Sequence, residues 1–132
     1  MKNNFINNLA ILNLYKKKSL KSPIDTQLLY GDKFRILKKN KFWSKIKISK
    51  DGYVGYIKND KFYNFTRTNF KVSVLKARLY KGPDYRKKTK KFLPYESRLK
   101  VTLKKGKFAK LNKYWIKISD IKKIQFKNKN IF

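Results

Sequence analysis

The chain of 132 residues contains neither cysteine nor histidine. Without cysteine there can be no disulfide, no thiolate metal site and no Cys nucleophile. Without histidine the chain lacks the commonest metal ligand and the usual general base. Only five glycines are present, and they form no phosphate-binding loop. The sequence therefore predicts no metal site, no cofactor and no catalytic residue of its own.

Acidic residues and long apolar runs are also scarce. Seven carboxylates face 37 basic residues, which gives a formal net charge of +30, and no two carboxylates have the spacing of a catalytic dyad. The longest apolar run near the start, residues 9–12, is far shorter than the ~20 residues that span a bilayer. It also lacks the cleavage site of a secretory signal. We expect a cytoplasmic protein without a membrane partner.

Arginine is rare as well: it supplies five of the basic residues and lysine supplies 32. Arginine is the usual side chain for forked recognition of phosphate and guanine, so this bias argues against specific nucleic-acid recognition. Lys45 and Lys47 alternate with Ile46 and Ile48, as on a sheet face exposed to water. We interpret most of the charge as a solvated surface that binds polyanions nonspecifically and in a salt-dependent way.

Apolar and polar residues alternate with the period of β-strands. Phe34 and Ile36 show this pattern, and so do Leu99, Val101 and Leu103, which we expect to face a core. Turn residues separate these segments, at Ser22-Pro23, Gly31-Asp32, Asp51-Gly52, Gly82-Pro83-Asp84 and Lys105-Gly106-Lys107. No segment has a helical stripe. The sequence predicts an all-β protein.

The segment Asp51-Gly52-Tyr53-Val54-Gly55-Tyr56-Ile57 is the most informative part of the chain. Asp-Gly favours the positive φ of a tight hairpin turn. Gly55 lies inside the following strand, where a missing side chain often marks a bulge or a close backbone approach. Tyr53 and Tyr56 flank this gap, which a ligand could enter. The segment is typical of a recognition surface in a small β-barrel.

The two halves of the chain resemble each other. Leu14-Tyr15 aligns with Leu79-Tyr80 about 65 residues later, and Leu29-Tyr30-Gly31-Asp32 with Leu93-Pro94-Tyr95-Glu96. A repeat of this length predicts two tandem small SH3-like β-barrels. We place the first at residues 9–63 and the second at 70–124, with a linker at 64–69 and a C-terminal tail at 125–132. The large aromatics Phe42, Trp43 and Trp115 are expected to fill the cores or join the barrels.

These motifs resemble the tandem bacterial SH3 (SH3b) domains that precede the catalytic domain of NlpC/P60 cell-wall peptidases. The first half carries the likeness in Ser22-Pro23, Gly31-Asp32, Phe42-Trp43 and Asp51-Gly52-Tyr53. The second half carries it in Leu79-Tyr80, Pro83-Asp84, Gly106-Lys107 and Tyr114-Trp115-Ile116. The resemblance covers about residues 9 to 124, and the chain stops about where the linker to the catalytic domain of the family would begin.

The resemblance implies a function for the first half. In the family, the catalytic domain cuts stem peptides of peptidoglycan between D-glutamate and the diamino acid, with a Cys nucleophile and His partners. The first SH3b domain forms one side of the cleft and holds the free N-terminus of the peptide. By this likeness Tyr53 and Asp32 are candidate substrate-binding residues. Tyr56, which flanks the gap at Gly55, is the third candidate. Residue by residue, Asp32 also fits a turn role and Tyr53 a packing role across strands.

Three functions remain open from the sequence. The chain resembles the non-catalytic recognition module of a muropeptide peptidase, as a truncated or split product, and is not an enzyme by itself. Alternatively, it is a basic β-barrel protein that binds nucleic acid or other polyanions. Thirdly, it is a docking module that pairs with a separately encoded NlpC/P60 catalytic domain.

Overall fold

The computed structural model describes residues 4–125, and within them all regular structure apart from two single-turn 3₁₀ helices is β-strand. The first half contains β1 (Asn4–Ile6), β2 (Ile11–Tyr15), β3 (Ile24–Leu29), β4 (Lys33–Lys39), β5 (Trp43–Ile48), β6 (Val54–Lys58) and β7 (Tyr63–Asn64). The second half contains β8 (Phe70–Val72), β9 (Lys76–Tyr80), β10 (Lys88–Pro94), β11 (Arg98–Leu99), β12 (Leu103–Lys105), β13 (Phe108–Leu111), β14 (Tyr114–Lys117) and β15 (Ile121–Lys123). The prediction of an all-β protein is confirmed.

The two halves share one strand order, which confirms the internal repeat. The first sheet has the order β3-β2-β6-β5-β4-β1-β7. The second half repeats this order in two sheets, β10-β9-β14-β13-β12 and β11-β8-β15. The single long strand β4 corresponds to two short strands, β11 and β12. In residues 4–125 the hydrogen-bond ladders do not close either half into a complete barrel.

The first sheet extends beyond the boundaries expected from the sequence. It begins at Asn4 rather than at residue 9, and it ends at Asn64, inside the expected linker. Strand β1 pairs with both β4 and β7, so the N-terminal residues hold the end of the first half in place. Most of the expected C-terminal tail, residues 126–132, lies outside the described residues.

Each half has its own apolar core. Seven buried side chains form the first: Leu12, Leu14, Leu28, Phe34, Ile46, Ile48 and Ile57. Nine form the second: Val72, Ala77, Leu79, Leu93, Leu99, Ala109, Leu111, Ile116 and Ile121. At about 25 cal/mol per Å² of buried apolar surface, these clusters are the main source of stability in a chain this basic. The alternating patterns of β4 and β5 therefore identified core residues correctly.

The break between β11 and β12 corrects one prediction. Leu99 is fully buried, but Leu103 is 52% exposed and does not face the core. The Asn69 side chain accepts a hydrogen bond from the N–H of Val101 at 2.8 Å and donates one to its carbonyl at 3.0 Å. This side chain takes the place of a neighbouring strand at Val101, so the alternation cannot run unbroken from Leu99 to Leu103.

The large aromatic residues also take different places from those expected. Trp115 is buried and packs with Tyr80 and Phe108, as predicted for a core residue. Phe42, by contrast, is 63% exposed in the turn before β5, with the Lys41 ammonium 5.4 Å from its ring centre. Its prediction as a core or joining residue is wrong, because the short β4–β5 turn points it away from both cores.

Tyr30, which follows β3, joins the two halves. Its side chain packs against the core of the second half. Its hydroxyl accepts a hydrogen bond from Asn112 Nδ2 at 2.5 Å, and its carbonyl accepts one from the N–H of Arg98 at 2.8 Å. Burial raises the pKa of the Tyr30 hydroxyl to about 12, although the Asn112 bond acts in the opposite direction. The second half therefore holds Tyr30 at both ends.

The backbone next to Tyr30 corrects the register of the repeat. Gly31 donates to Asn7 O at 2.7 Å, as Glu96 donates to Val72 O at 3.0 Å. Gly31 and Glu96 both have positive φ, +84° and 73°. Glu96 is thus the counterpart of Gly31, whereas the sequence alignment had placed it opposite Asp32. The offset at this turn is therefore 65 residues, the same as between Leu14-Tyr15 and Leu79-Tyr80.

Candidate ligand-binding site

The Asp51-Gly52 turn has the predicted conformation. Gly52 adopts a φ of +76°, and its N–H donates to Ile48 O at 2.9 Å. The Asp51 carboxylate accepts from the N–H of Tyr53 at 3.1 Å, and Tyr53 O accepts from the N–H of Ile48 at 2.9 Å. These bonds fix the backbone of Tyr53 while 47% of its surface remains exposed. The turn presents Tyr53 to solvent on a rigid support.

Asp32 is buried and already paired. It is 4% exposed, and its Oδ2 accepts from Lys50 Nζ and from the N–H of Leu29, both at 2.8 Å. A substrate amine would compete with Lys50 for this carboxylate. The bond ties the start of the turn that carries Tyr53 to the end of β3. Asp32 is therefore placed to position Tyr53 through Lys50.

The close backbone approach predicted at Gly55 is confirmed, but the predicted gap for a ligand is not. A Cβ on this residue would lie 2.8 Å from both Leu14 Cγ and Tyr15 O, so the backbone approach is close, as predicted. The space is filled by β2 itself, which leaves no room for a ligand beside Gly55. The gap exists because β6 must pack over Leu14 where it meets β2. Its role is in packing rather than in recognition.

Tyr56 belongs to an outward-facing aromatic group that we call the aromatic face, consisting of Tyr15, Trp43 and Tyr56. Tyr56 is the register partner of Tyr15. The rings of Tyr15 and Trp43 meet edge to face with centroids 5.6 Å apart. The Lys18 ammonium lies 5.9 Å from the Tyr56 ring centre. Such a surface can hold a flat or cationic group by ring contact.

A shallow cleft of about 410 Å³ continues from the aromatic face. Trp43 lines it together with Phe42 and Leu20, which are 63% and 61% exposed. The loop between β2 and β3 forms its other wall. Sequence reasoning missed this cleft, because it assigned Phe42 and Trp43 to the interior. The signal that could have revealed it is the alternation of β5, which buries Ser44, Ile46 and Ile48 and so turns Trp43 outward.

The structure does not bring the three predicted residues into one cluster. Tyr56 lies in the aromatic face, Tyr53 lies in the turn at the start of β6, and the Asp32 carboxylate is occupied by Lys50. Tyr53 and Tyr56 are three positions apart along an extended backbone, which corresponds to roughly 10 Å. A short extended peptide could reach both tyrosines, whereas a single small group could not.

The described residues add two negative findings. In residues 4–125 no three His, Cys, Asp or Glu side chains are grouped closely enough to hold a metal ion. Over the same range no helix is long and apolar enough to cross a bilayer.

Comparison with known proteins identifies relatives of the first half of the chain. Residues 14–62 match the family model of the bacterial dipeptidyl-peptidase SH3 domain. This region includes Asp32, Tyr53 and Tyr56, and it is similar to the SH3 domain that the family model describes. A search of curated proteins returned no match.

Solved structures show the same fold over a longer part of the chain. An NlpC/P60 family protein from Bacillus cereus superposes with a TM-score of 0.71 over 92% of this chain, at 14% identity. The chain spans 56% of the length of that protein. NlpC2 from Trichomonas vaginalis is similar over 98% of this chain and 49% of its own, at 17% identity, but its TM-score of 0.37 supports no structural conclusion. The resemblance to the SH3b part of NlpC/P60 proteins is confirmed.

Proposed function

We propose that this chain binds the stem peptide of peptidoglycan as the non-catalytic recognition module of an NlpC/P60-type muropeptide peptidase acting in the cytoplasm. The observation that carries the proposal is the match of residues 14–62 to the SH3 domain of bacterial dipeptidyl-peptidases. The rigidly supported, half-exposed Tyr53 lies within that match. Its hydroxyl and ring suit the free amine at the N-terminus of such a peptide.

The other candidate residues take supporting roles in this proposal. Tyr56 and its aromatic face contact the peptide further along, and Asp32 positions Tyr53 through Lys50. The carboxylates of the D-glutamate and the diamino acid are attracted by the surrounding lysines. Because these 132 residues contain no Cys or His, cleavage by the family mechanism requires an NlpC/P60 catalytic domain from outside them.

Titration with a tripeptide tests the proposal. The ligand is L-alanyl-γ-D-glutamyl-diamino acid with a free N-terminus, at about 0.3 M salt to suppress nonspecific attraction. We expect weak binding that Tyr53→Ala reduces roughly tenfold, because one charge-assisted hydrogen bond contributes about 1.5–3 kcal/mol. Tyr95→Ala is the matched control, since Tyr95 is 50% exposed in the second half. No binding at this salt, or equal loss in both variants, would contradict the proposal.

A further inference from the structure

A basic cleft lies where the two halves meet, away from the aromatic face. It has a volume of about 420 Å³ and is lined by Lys33, Lys50, Arg67 and Arg98, with Phe65 in its wall. Asp32 also lines it, but that carboxylate is already neutralised by Lys50. The cleft is therefore strongly cationic. Residues from both halves are needed to form it.

The cleft continues into a second, open one of about 320 Å³. The two share Lys33 and Ser49, and the second adds Arg35 and Lys47 from the β4–β5 hairpin. Side by side they form one basic track, which we call the junction groove. Because its cationic groups are spread over two adjoining clefts, it suits a chain of negative charges better than a single compact anion.

Arginine is concentrated in this groove. Of the five arginines in the chain, Arg35, Arg67 and Arg98 line it. Arg78 is used inside the second half, where it donates to a backbone carbonyl at 2.6 Å, and Arg86 pairs with a neighbouring carboxylate at 2.9 Å. The sequence argued against phosphate recognition because arginine is rare, but the fold gathers most of it on one surface. Guanidinium groups bind phosphate in a forked, bidentate manner.

Phe65 gives the groove a second kind of contact. It is 45% exposed, and its N–H bond to Asn4 O, at 3.0 Å, fixes its backbone. The Lys33 ammonium lies 4.4 Å from its ring centre. An exposed aromatic ring among cationic groups is the arrangement by which proteins stack unpaired bases while they neutralise the adjoining phosphates.

We infer that the junction groove binds single-stranded nucleic acid, with Arg67 and Arg98 on the backbone phosphates and Phe65 against a base. The inference does not depend on peptide binding, because it uses neither Tyr53 nor the aromatic face. It also assigns a role to the junction of the two halves, which neither half could perform alone.

Fluorescence anisotropy with a labelled single-stranded oligothymidylate tests the groove at several salt concentrations. In the double variant R67Q/R98Q we expect affinity to fall roughly tenfold at 0.15 M salt, and the slope of log K against log salt to decrease by about 1.4, since each phosphate contact on a single strand contributes about 0.7. The charge-matched control is K105Q/K122Q, which removes two exposed lysines of the second half. If both double variants weaken binding equally, the binding comes from diffuse charge and the inference is wrong.

An abasic oligonucleotide of the same length separates base contact from backbone contact. Phe65→Ala should weaken binding of the ordinary strand about fivefold or more and leave the abasic strand unaffected, because stacking on an aromatic ring needs a base. Unchanged binding of both strands by F65A, or equal affinity of the unaltered protein for the two strands, would overturn the assignment. Circular dichroism and thermal unfolding confirm that each variant is folded before it is titrated.

Discussion

Replacing Gly31 by alanine perturbs the junction of the two halves at a single atom. A Cβ at this position would lie 1.9 Å from Arg98 O and 2.7 Å from the carbonyl carbon of the same residue. Both are backbone atoms of the other half, so no side chain can rotate away to make room. The left-handed φ of +84° adds a conformational penalty.

The expected loss of stability has two parts. A left-handed φ costs a residue with a Cβ about 1–2 kcal/mol, and forcing an extra carbon into a packed site costs about 1–3 kcal/mol. Together they predict that Gly31→Ala is destabilised by roughly 2–5 kcal/mol. Gly106→Ala is the matched control, because Gly106 also has a positive φ, +58°, but has no atom within 4 Å of its added Cβ. Gly106→Ala should therefore lose only the roughly 1–2 kcal/mol that the left-handed φ costs.

Thermal and urea unfolding measure the difference between these variants. For a chain of this size, roughly 4 °C in Tm corresponds to 1 kcal/mol. The two variants differ only by the clash of about 1–3 kcal/mol, so Gly31→Ala should melt about 4–12 °C below Gly106→Ala. If the junction opens instead, Tyr30 leaves the second core and its raised pKa returns toward 10. An equal Tm for the two variants, with the high pKa of Tyr30 retained, would refute the role given to Gly31.

Two further predictions concern the groups around the turn and the junction. Asp32→Asn should destabilise the fold by about 1–3 kcal/mol in urea unfolding, because it weakens the hydrogen bonds that the buried Asp32 carboxylate accepts from Lys50 and Leu29. The control Asp25→Asn, at an exposed position, should change the stability by less than about 0.5 kcal/mol. Equal effects of the two variants would contradict the role of the Asp32–Lys50 ion pair. The pKa of Tyr30, about 12 against an ordinary 10, means that its neutral hydroxyl stabilises the fold fully below pH 10 and that this contribution is lost as the pH rises from 10 to about 12. In an absorbance titration of tyrosinate, Tyr30→Phe should remove one late step near pH 12, and an unchanged late step would show that another tyrosine is the buried one.

The sequence predicted those features of the fold that depend on near neighbours in the chain. The period of two in β5 determines which side chains face the core, and Asp51-Gly52 and Gly106 determine where the chain turns. These patterns report local backbone preference and the burial of one sheet face. They were sufficient for the all-β class and for the two-fold repeat.

What the sequence left unpredicted depends on partners far along the chain. Leu103 has the pattern of a core residue, but Asn69 interrupts its strand. Phe42 has the size of a core residue and lies in a short turn. The Gly55 gap is filled by Leu14, which is 41 positions earlier. Tertiary contacts decide each of these cases, and local periodicity carries no information about them.

For the candidate sites, too, the sequence predicted what neighbouring residues determine and missed what distant residues form together. Tyr53 was predicted from a turn motif of adjacent residues, and the structure places it where that motif implies. The convergence of Arg35, Arg67 and Arg98 could not be predicted, because these residues are far apart in the sequence and come from both halves. Only the docking of one half on the other assembles the junction groove.

The two hydrogen bonds that the second half makes to Tyr30 restrict how the halves can move against each other. Two bodies joined by one strand of chain can swivel about it, but here three separate points connect them: the covalent link near residues 64–69, the Arg98 bond to the Tyr30 carbonyl and the Asn112 bond to its hydroxyl. Together with the packing of the Tyr30 ring against the second core, these points oppose rotation of one half against the other. A third body that docks across both halves would thus meet a surface whose geometry is largely set, and its binding would carry a smaller entropy penalty for aligning them.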